Sequence, residues 1–132
     1  METQSVSSNE KREEHLLLNL NRISEEVLEK SNDKKLLVKI SKKGIEAVEG
    51  GEVGRRFEVL FYYNKMFFSK EIKTSINLSV DFGSGYDYIL KNIVINYYDK
   101  DNFQEFRNIL MEKLQKYHAG LKDVKLKEIK HF

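Results

Sequence analysis

Residues 74–82 read TSINLSVDF and carry the clearest structural signal in the chain. Apolar side chains at Ile76, Leu78, Val80 and Phe82 alternate with a polar side chain at every position between them. Successive side chains of a β-strand point to opposite faces of the sheet. Strict alternation therefore predicts a strand with one packed face and one face in water.

The residues before this strand continue the pattern and are rich in aromatic side chains. The apolar face of the preceding strand consists of Phe57, Val59, Phe61 and Tyr63. A two-residue break at Asn64-Lys65 predicts a hairpin turn. After the break, the pattern resumes on the same face at Met66, Phe68 and Ile72. Residues 55–99 are thus predicted to form a nearly unbroken antiparallel sheet.

Strands are also predicted on both sides of this hairpin. Alternation over residues 36–41 predicts a first strand, and the glycine-rich, acidic residues 44–54 predict a loop. Between residues 86 and 98 the apolar positions change phase near Lys91-Asn92, which favours a strand with a β-bulge. The alternative is a short helix over residues 85–91 followed by a strand.

Two segments with helical spacing flank the sheet. The first stripe, which predicts a helix over residues 9–31, contains Leu16, Leu20, Ile23 and Val27. The second, which predicts a helix over residues 101–118, contains Phe103, Phe106, Leu110, Leu114 and Tyr117. Asp101 and Gln104 have the spacing of a capping box, and Gly120 suits the position after the helix end. In the tail, Val124 and Leu126 alternate with lysines, as is typical of an edge strand.

This order of elements predicts an α+β fold. We expect a two-layer sandwich in which a long N-terminal helix and a C-terminal helix cover one face of an antiparallel sheet of four to six strands. Residues 1–8 are expected to form a flexible leader, and residues 9–132 a single α+β domain.

Composition narrows the range of functions. The 23 basic and 21 acidic residues leave a net charge of +2, which does not by itself indicate nucleic-acid binding. The chain has no cysteine and no apolar run of roughly 20 residues, so we expect a cytoplasmic protein that does not bind membranes. The absence of proline and tryptophan and the abundance of Lys, Asn and Ile indicate AT-rich coding DNA, typical of a low-GC bacterium, a phage or a mobile element.

No catalytic constellation is apparent in the sequence. The three histidines, His15, His118 and His131, lie in no motif, and no spacing typical of metal ligands occurs. Asp81 and Asp87 flank a glycine turn, where aspartate is ordinary turn chemistry. The glycine loop before Arg55 lacks the Gly-Lys-Ser/Thr ending of a phosphate-binding loop. We therefore predict a protein that is not an enzyme, with no catalytic residues, no metal and no cofactor.

A protein-binding surface is the main functional hypothesis. Alternation places four apolar residues on the sheet face opposite the helices, namely Leu37, Leu60, Tyr62 and Phe67. Together they form a larger apolar area than a monomer usually exposes. The predicted partner contacts are Arg55, Arg56, Leu60, Tyr62 and Phe67. Small proteins of this kind are often inhibitors or neutralisers, such as immunity proteins or phage-borne blockers of host defence. A homodimer through the sheet or through the first helix is also compatible with these patterns.

Nucleic-acid binding is the alternative hypothesis. Basic residues cluster near the same aromatic face, and the candidate nucleic-acid contacts are Lys39, Lys42 and Lys43. Single-strand binding proteins commonly stack bases on aromatic side chains and hold phosphates with cations. The protein would then be an accessory factor with a lysine-rimmed aromatic sheet face.

Overall fold

A computed structural model describes residues 2–47, 53–81, 89–117 and 123–132. These residues form the elements α1 (Glu2–Ser31), β1 (Leu37–Ala47), β2 (Val53–Asn64), β3 (Lys70–Asp81), β4 (Ile89–Tyr97), α2 (Phe103–Tyr117) and β5 (Lys125–Lys130). The strands make one five-stranded sheet in the order β1-β2-β3-β4-β5. The predicted α+β fold, with a helix before and a helix after the main run of strands, is confirmed.

One edge of the sheet differs from the prediction. β1 to β4 pair antiparallel, whereas β5 pairs parallel to β4, so the sheet is mixed. The reason is the path of the chain, because α2 forms a crossover between β4 and β5. A strand that follows such a crossover re-enters the sheet in the direction of the strand before it.

The core lies between the two helices and one face of the sheet. The stripe predicted for α1 is buried, as are the alternate residues of the central strands. In the stripe predicted for α2, Phe103 and Tyr117 are only partly buried and the other three residues are buried. The buried apolar residues include Leu16, Leu20, Ile23, Val27, Phe57, Val59, Phe61, Ile76, Leu78, Val80, Ile93, Ile95, Tyr97, Phe106, Leu110 and Leu114. The rings of Phe61 and Phe106 meet edge to face at 5.4 Å between centroids, which joins α2 to the middle of the sheet.

The β-bulge predicted near Lys91 is present. Ser79 pairs with Asn92 and Val80 pairs with Leu90, so Lys91 is an extra residue on β4. This extra residue accounts for the change of phase in the apolar pattern. The alternative, a short helix over residues 85–91, is wrong for residues 89–91, which belong to β4. Residues 85–88 lie outside the described residues, as do Phe82 and Gly120.

Part of the segment predicted as a loop over residues 44–54 is paired strand, and residues 48–52 lie outside the described residues. Residues 44–47 belong to β1 and residues 53–54 to β2, which are paired there. Gly44, the first residue of the predicted loop, instead follows a bulge at Lys43 within β1. Its φ of 123° is one that other residues rarely adopt. A strand with such a bulge can continue past a glycine without losing its partner.

Two helix starts also differ from the predicted positions. α1 begins at Glu2, so residues 2–8 are helical, although the sequence predicted a flexible leader over residues 1–8. The division of the chain into a leader and one domain stays a prediction. α2 begins at Phe103 rather than at residue 101. The residue before it, Asn102, has a left-handed φ of 57°. Asp99 Oδ1 accepts the backbone N–H of Asp101 at 2.9 Å, so these residues form a turn before the helix.

A bidentate ion pair connects the parallel edge strand to α2. Arg107 Nε and its Nη2 donate to the two carboxylate oxygens of Glu128 at 2.6 and 2.8 Å. Both side chains are partly buried, and the guanidinium holds the pKa of Glu128 below its ordinary value. Parallel fork-to-fork geometry makes this contact stronger than an ordinary surface ion pair.

Replacing Glu128 with glutamine should weaken the attachment of β5. We expect Glu128→Gln to lower the free energy of unfolding by about 1–2 kcal/mol at neutral pH, measured by urea denaturation. A carboxylate with a lowered pKa stabilises the fold above its unfolded-state pKa, near 4.5, and this stabilisation disappears as the pH falls through the lower folded-state pKa. The difference between wild type and variant should therefore shrink in acid.

The matched control is Glu112→Gln on the exposed side of α2, where the nearest lysine nitrogen is 3.8 Å away. This control should change stability little. An equal loss in both variants would show that the Arg107–Glu128 pair has no special role.

Candidate partner-docking surface

The outer face of the sheet, on the side away from the helices, has a polar half and an apolar half. The polar half contains Ser75, Asn77, Ser79, Asn92 and Asn96, which alternate with buried residues of β3 and β4. At the other end, Leu37 pairs with Tyr62, and Tyr62 pairs with Ile72. We call Leu37, Tyr62, Ile72 and Tyr98 the apolar band. Leu37, Ile72 and Tyr98 are exposed, and Tyr62 is half-buried.

The position of Ile72 in this band follows from a second bulge. Phe61 pairs with Thr74 and Tyr62 pairs with Ile72, so Lys73 is an extra residue on β3. An extra residue changes which face the following side chains occupy. Ile72, which strict alternation assigns to the packed face, is therefore exposed on the outer face.

The connection between β2 and β3 carries the most exposed apolar residues of the described chain. We call Met66, Phe67 and Phe68 the tip. Their exposures are 78%, 93% and 105%, respectively. They form a tight turn beyond the last strand pair, Asn64 with Lys70.

The tip corrects three sequence-based predictions. The connection spans residues 65–69 instead of the predicted two-residue break. Met66 and Phe68, predicted on the packed face, lie outside the sheet, and so does Phe67, which was predicted on the outer face. Alternation assigns faces only within paired strands, and these residues lie beyond the pairing.

The backbone of the tip is held in a strained conformation. Phe67 and Phe68 both have a φ of 62°, in the left-handed region that side chains with a Cβ rarely adopt. The turn is closed by a hydrogen bond from Lys65 N–H to the Ser69 carbonyl at 2.9 Å and by one from Ser69 Oγ to the Met66 carbonyl at 3.0 Å. Strain that the surrounding structure maintains is a feature of binding sites.

Lysines stand around the base of the tip. Lys65 and Lys70 flank it in sequence. Lys65 is paired with Glu71 at 3.1 Å, and the ammonium of Lys70 lies 4.8 Å from the centre of the Tyr62 ring. On the helix side, Lys34 and Lys35 belong to the α1–β1 turn and are exposed. We call these four lysines the basic collar.

The α1–β1 turn is attached to the end of β2, from which the chain continues into the tip, by a short hydrogen bond. Tyr63 OH donates to Asp33 Oδ2 at 2.6 Å. This hydrogen bond holds the pKa of the Asp33 carboxyl below its ordinary value, whereas burial raises the pKa of Tyr63. Asp33 is therefore ionised at neutral pH, and its charge offsets part of that of Lys34 and Lys35.

The structure brings together part of the predicted partner-binding set. Leu60 and Tyr62 lie half-buried on the outer face, and Arg56 lies exposed on the same face. Arg55 lies on the opposite side, where its Nε is 3.2 Å from Glu13 Oε1 of α1. Phe67 is at the tip, close to the end of the apolar band rather than within the sheet.

The candidate nucleic-acid contacts are likewise divided between the two faces. Lys42 Nζ is 3.1 Å from Glu13 Oε2 on the helix side, so this residue fastens β1 to α1. Lys43 is on the outer face, and its Nζ is 3.1 Å from Glu58 Oε1. Lys39 is exposed on the outer face. The three lysines therefore do not form one basic patch.

The contribution of Met66, Phe68 and Ile72 to this surface was not predicted from the sequence. A signal was present in the run of three large apolar residues, because it contains no glycine, asparagine or proline that would make a tight two-residue turn. Such a run next to a hairpin end indicates a longer connection with exposed side chains. The bulge at Lys73 leaves no comparable signal.

No family model, curated protein or solved structure matched the chain. Among the described residues, no group of three or more His, Asp and Glu side chains is placed to hold a metal ion. Within the described residues, neither α1 nor α2 has the length and apolar character of a membrane-spanning helix.

Removing the strain at the tip should stabilise the fold. We expect Phe68→Gly to raise the free energy of unfolding by about 0.5–1 kcal/mol, because glycine adopts a positive φ without steric cost. Phe68→Ala is the matched control, since it removes the same ring and keeps a Cβ. Urea denaturation of the two variants isolates the backbone contribution, and equal stabilities would contradict the strained tip.

Proposed function

We propose that this protein is a non-enzymatic binding module that docks another protein through the tip and the apolar band. The exposed tip Met66–Phe68, held in a left-handed turn, is the observation that carries this proposal. Its role would be that of an inhibitor or neutraliser, of the immunity-protein or phage anti-defence type, in the cytoplasm of a low-GC bacterium.

The energetics of the tip support binding. Transferring one phenylalanine side chain from water to an apolar site contributes about 1.5–3 kcal/mol, and this protein exposes two such rings at consecutive positions. Large side chains that enter a partner's pocket are the residues that carry most of the energy of an interface. Because the turn is already closed by its own hydrogen bonds, it loses little conformational entropy on binding.

The basic collar indicates the chemistry of the partner. An apolar pocket bordered by carboxylates would receive the tip and face the exposed ammonium groups around it. A second copy of this chain fits less well. Two tips meeting end to end would place basic collars opposite each other, which is repulsive. We therefore favour an acidic protein with an apolar pocket.

The proposal is tested by capturing partners from the native host. Wild type, the double variant Phe67→Ser with Phe68→Ser, and the control Leu18→Ser would be immobilised in parallel. Leu18 is an exposed apolar residue of α1, outside the tip and the band. We expect a host protein that wild type and the control retain and that the double variant loses. With that protein purified, calorimetry should show binding at least about a hundredfold weaker for the double variant.

Three outcomes would overturn the proposal. One is the absence of any protein whose capture depends on the tip. Another is a concentration-dependent dimer, seen by sedimentation, that the double variant loses, since this would assign the tip to a second copy. Binding of wild type, but not the double variant, to anionic phospholipid vesicles would assign the tip to a lipid surface instead.

Nucleic-acid binding remains a second candidate because of the polar half of the outer face. A shallow cavity of about 310 Å³ there is lined in part by Arg56, Asn77, Ser79 and Asn92. Guanidinium and amide groups are the side chains that pair with base edges. Exposed lysines stand at both edges of the sheet, at Lys39 on β1 and at Lys125 and Lys127 on β5.

Salt dependence distinguishes the two candidates. On the protein-docking proposal, we expect no change in fluorescence anisotropy when a labelled single-stranded oligonucleotide is mixed with the protein at physiological salt. Nucleic-acid binding would instead appear as an affinity that falls steeply with rising salt, and Lys39→Glu would weaken it further. That result would replace the protein-docking proposal.

A further inference from the structure

A cleft on the helix side of the sheet is separate from the tip and from the outer face. It lies between the α1–β1 turn and the first turns of α2 and has a volume of about 420 Å³. This volume is within the range of small-molecule sites. Its lining includes the buried apolar residues Leu36, Phe106 and Ile109, together with Lys73 of β3.

Lys73 is unusual because it is a lysine that is only 7% exposed. The bulge in β3 places its side chain on the helix side, where Nζ is 3.1 Å from Asp99 Oδ2. The same ammonium lies 5.0 Å from the centre of the Phe106 ring and 6.0 Å from that of Tyr63. An ammonium group has three N–H donors, and the Asp99 carboxylate accepts one of them.

Stability alone does not explain a charge at this position. A buried ion pair gains little over apolar residues of similar size, because removing both charges from water costs about as much as their attraction returns. Leu36, Phe106 and Ile109 would accommodate an apolar side chain in place of Lys73. The lysine is therefore better explained by a group that enters the cleft.

The charges around the cleft favour a singly charged anion. Lys34 and Lys35 line it together with Lys73, and the acidic lining residues are Asp33 and Glu105. Asp33 already accepts hydrogen bonds from Tyr63 OH at 2.6 Å and from the Lys35 N–H at 3.1 Å. Asp99 offsets part of the charge of Lys73, so one carboxylate matches the remaining donors better than a dianion such as phosphate.

We propose that the cleft binds a carboxylate attached to an aromatic or aliphatic body. Lys73 Nζ donates to the carboxylate, and the apolar body packs against Leu36, Phe106 and Ile109. Both a small free acid and the C-terminal residue of a peptide carry this chemistry. The site uses no residue of the tip or of the apolar band and shares only Lys34 and Lys35 with the basic collar. Its tests change neither of these lysines, so they can fail without the protein-docking proposal failing.

The proposal is tested by titrating the ¹⁵N-labelled full chain and following backbone amide signals by NMR. The free-acid probe is phenylacetate, and its neutral match is phenylacetamide. The peptide probe is acetyl-glycyl-phenylalanine with a free carboxylate, and its match is the C-terminal amide. We expect saturable shifts at Leu36, Lys73, Phe106 and Ile109 with at least one carboxylate probe. The neutral matches should bind at least about tenfold more weakly. The tighter of the two carboxylate probes identifies the source.

Variants of Lys73 and of the cleft wall provide the controls. Lys73→Met should weaken binding at least about tenfold, whereas Lys91→Met, at the exposed bulge of β4, should leave it unchanged. If Lys73→Met disturbs the whole spectrum, Ile109→Trp serves instead, because it fills the cleft and keeps Lys73 and Asp99. The proposal would be overturned if neither carboxylate probe gave a saturable shift, or if the neutral matches bound as tightly as the carboxylates. It would also be overturned if the variant that folds, Lys73→Met or Ile109→Trp, bound the probe as tightly as wild type.

Discussion

The pairing of β2 with β3 has to accommodate one extra residue, Lys73, and the surrounding architecture depends on how it does so. Strands with side chains on alternating faces cannot absorb a single insertion without changing the face of everything beyond it. Here the insertion is absorbed as a bulge. Thr74 keeps its place in the core opposite Phe61, and the chain beyond the bulge is displaced by one position.

Both sides of the sheet are shaped by that bulge. On the outer face it exposes Ile72 next to Tyr62 and so completes the apolar band. On the inner face it buries Lys73, whose ammonium holds Asp99 in the turn that precedes α2. The Tyr98 N–H donates to the Lys73 carbonyl at 2.9 Å, which keeps the bulge attached to the end of β4. The exposure of Ile72 in the apolar band and the burial of Lys73 in the cleft are thus consequences of the same local irregularity on opposite faces.

The sequence predicted those parts of the fold that depend on periodicity alone. Both helices, the packed faces of β2 and β3 and the bulge at Lys91 were identifiable, the last because apolar residues on either side of it have opposite phase. The bulge at Lys73 was hidden, since Ile72 and Phe68 happen to suit an unbroken strand. Alternation with Phe57 and with Ile40 assigns Arg55 and Lys42 to the packed face, as observed. It does not show that both pair with Glu13 of α1, or that the crossover makes β5 parallel to β4. These are tertiary relations that no local pattern contains.

Because the tip lies beyond the last strand pair, its residues can change in evolution without changes in the core. Substitutions at Met66, Phe67 or Phe68 alter no side chain of the described apolar core and no strand pairing of the sheet. Size, shape and polarity at these positions can therefore change by single mutations while the scaffold is inherited intact. A hairpin of this design can follow a changing surface on another molecule over generations without having to refold around each new sequence.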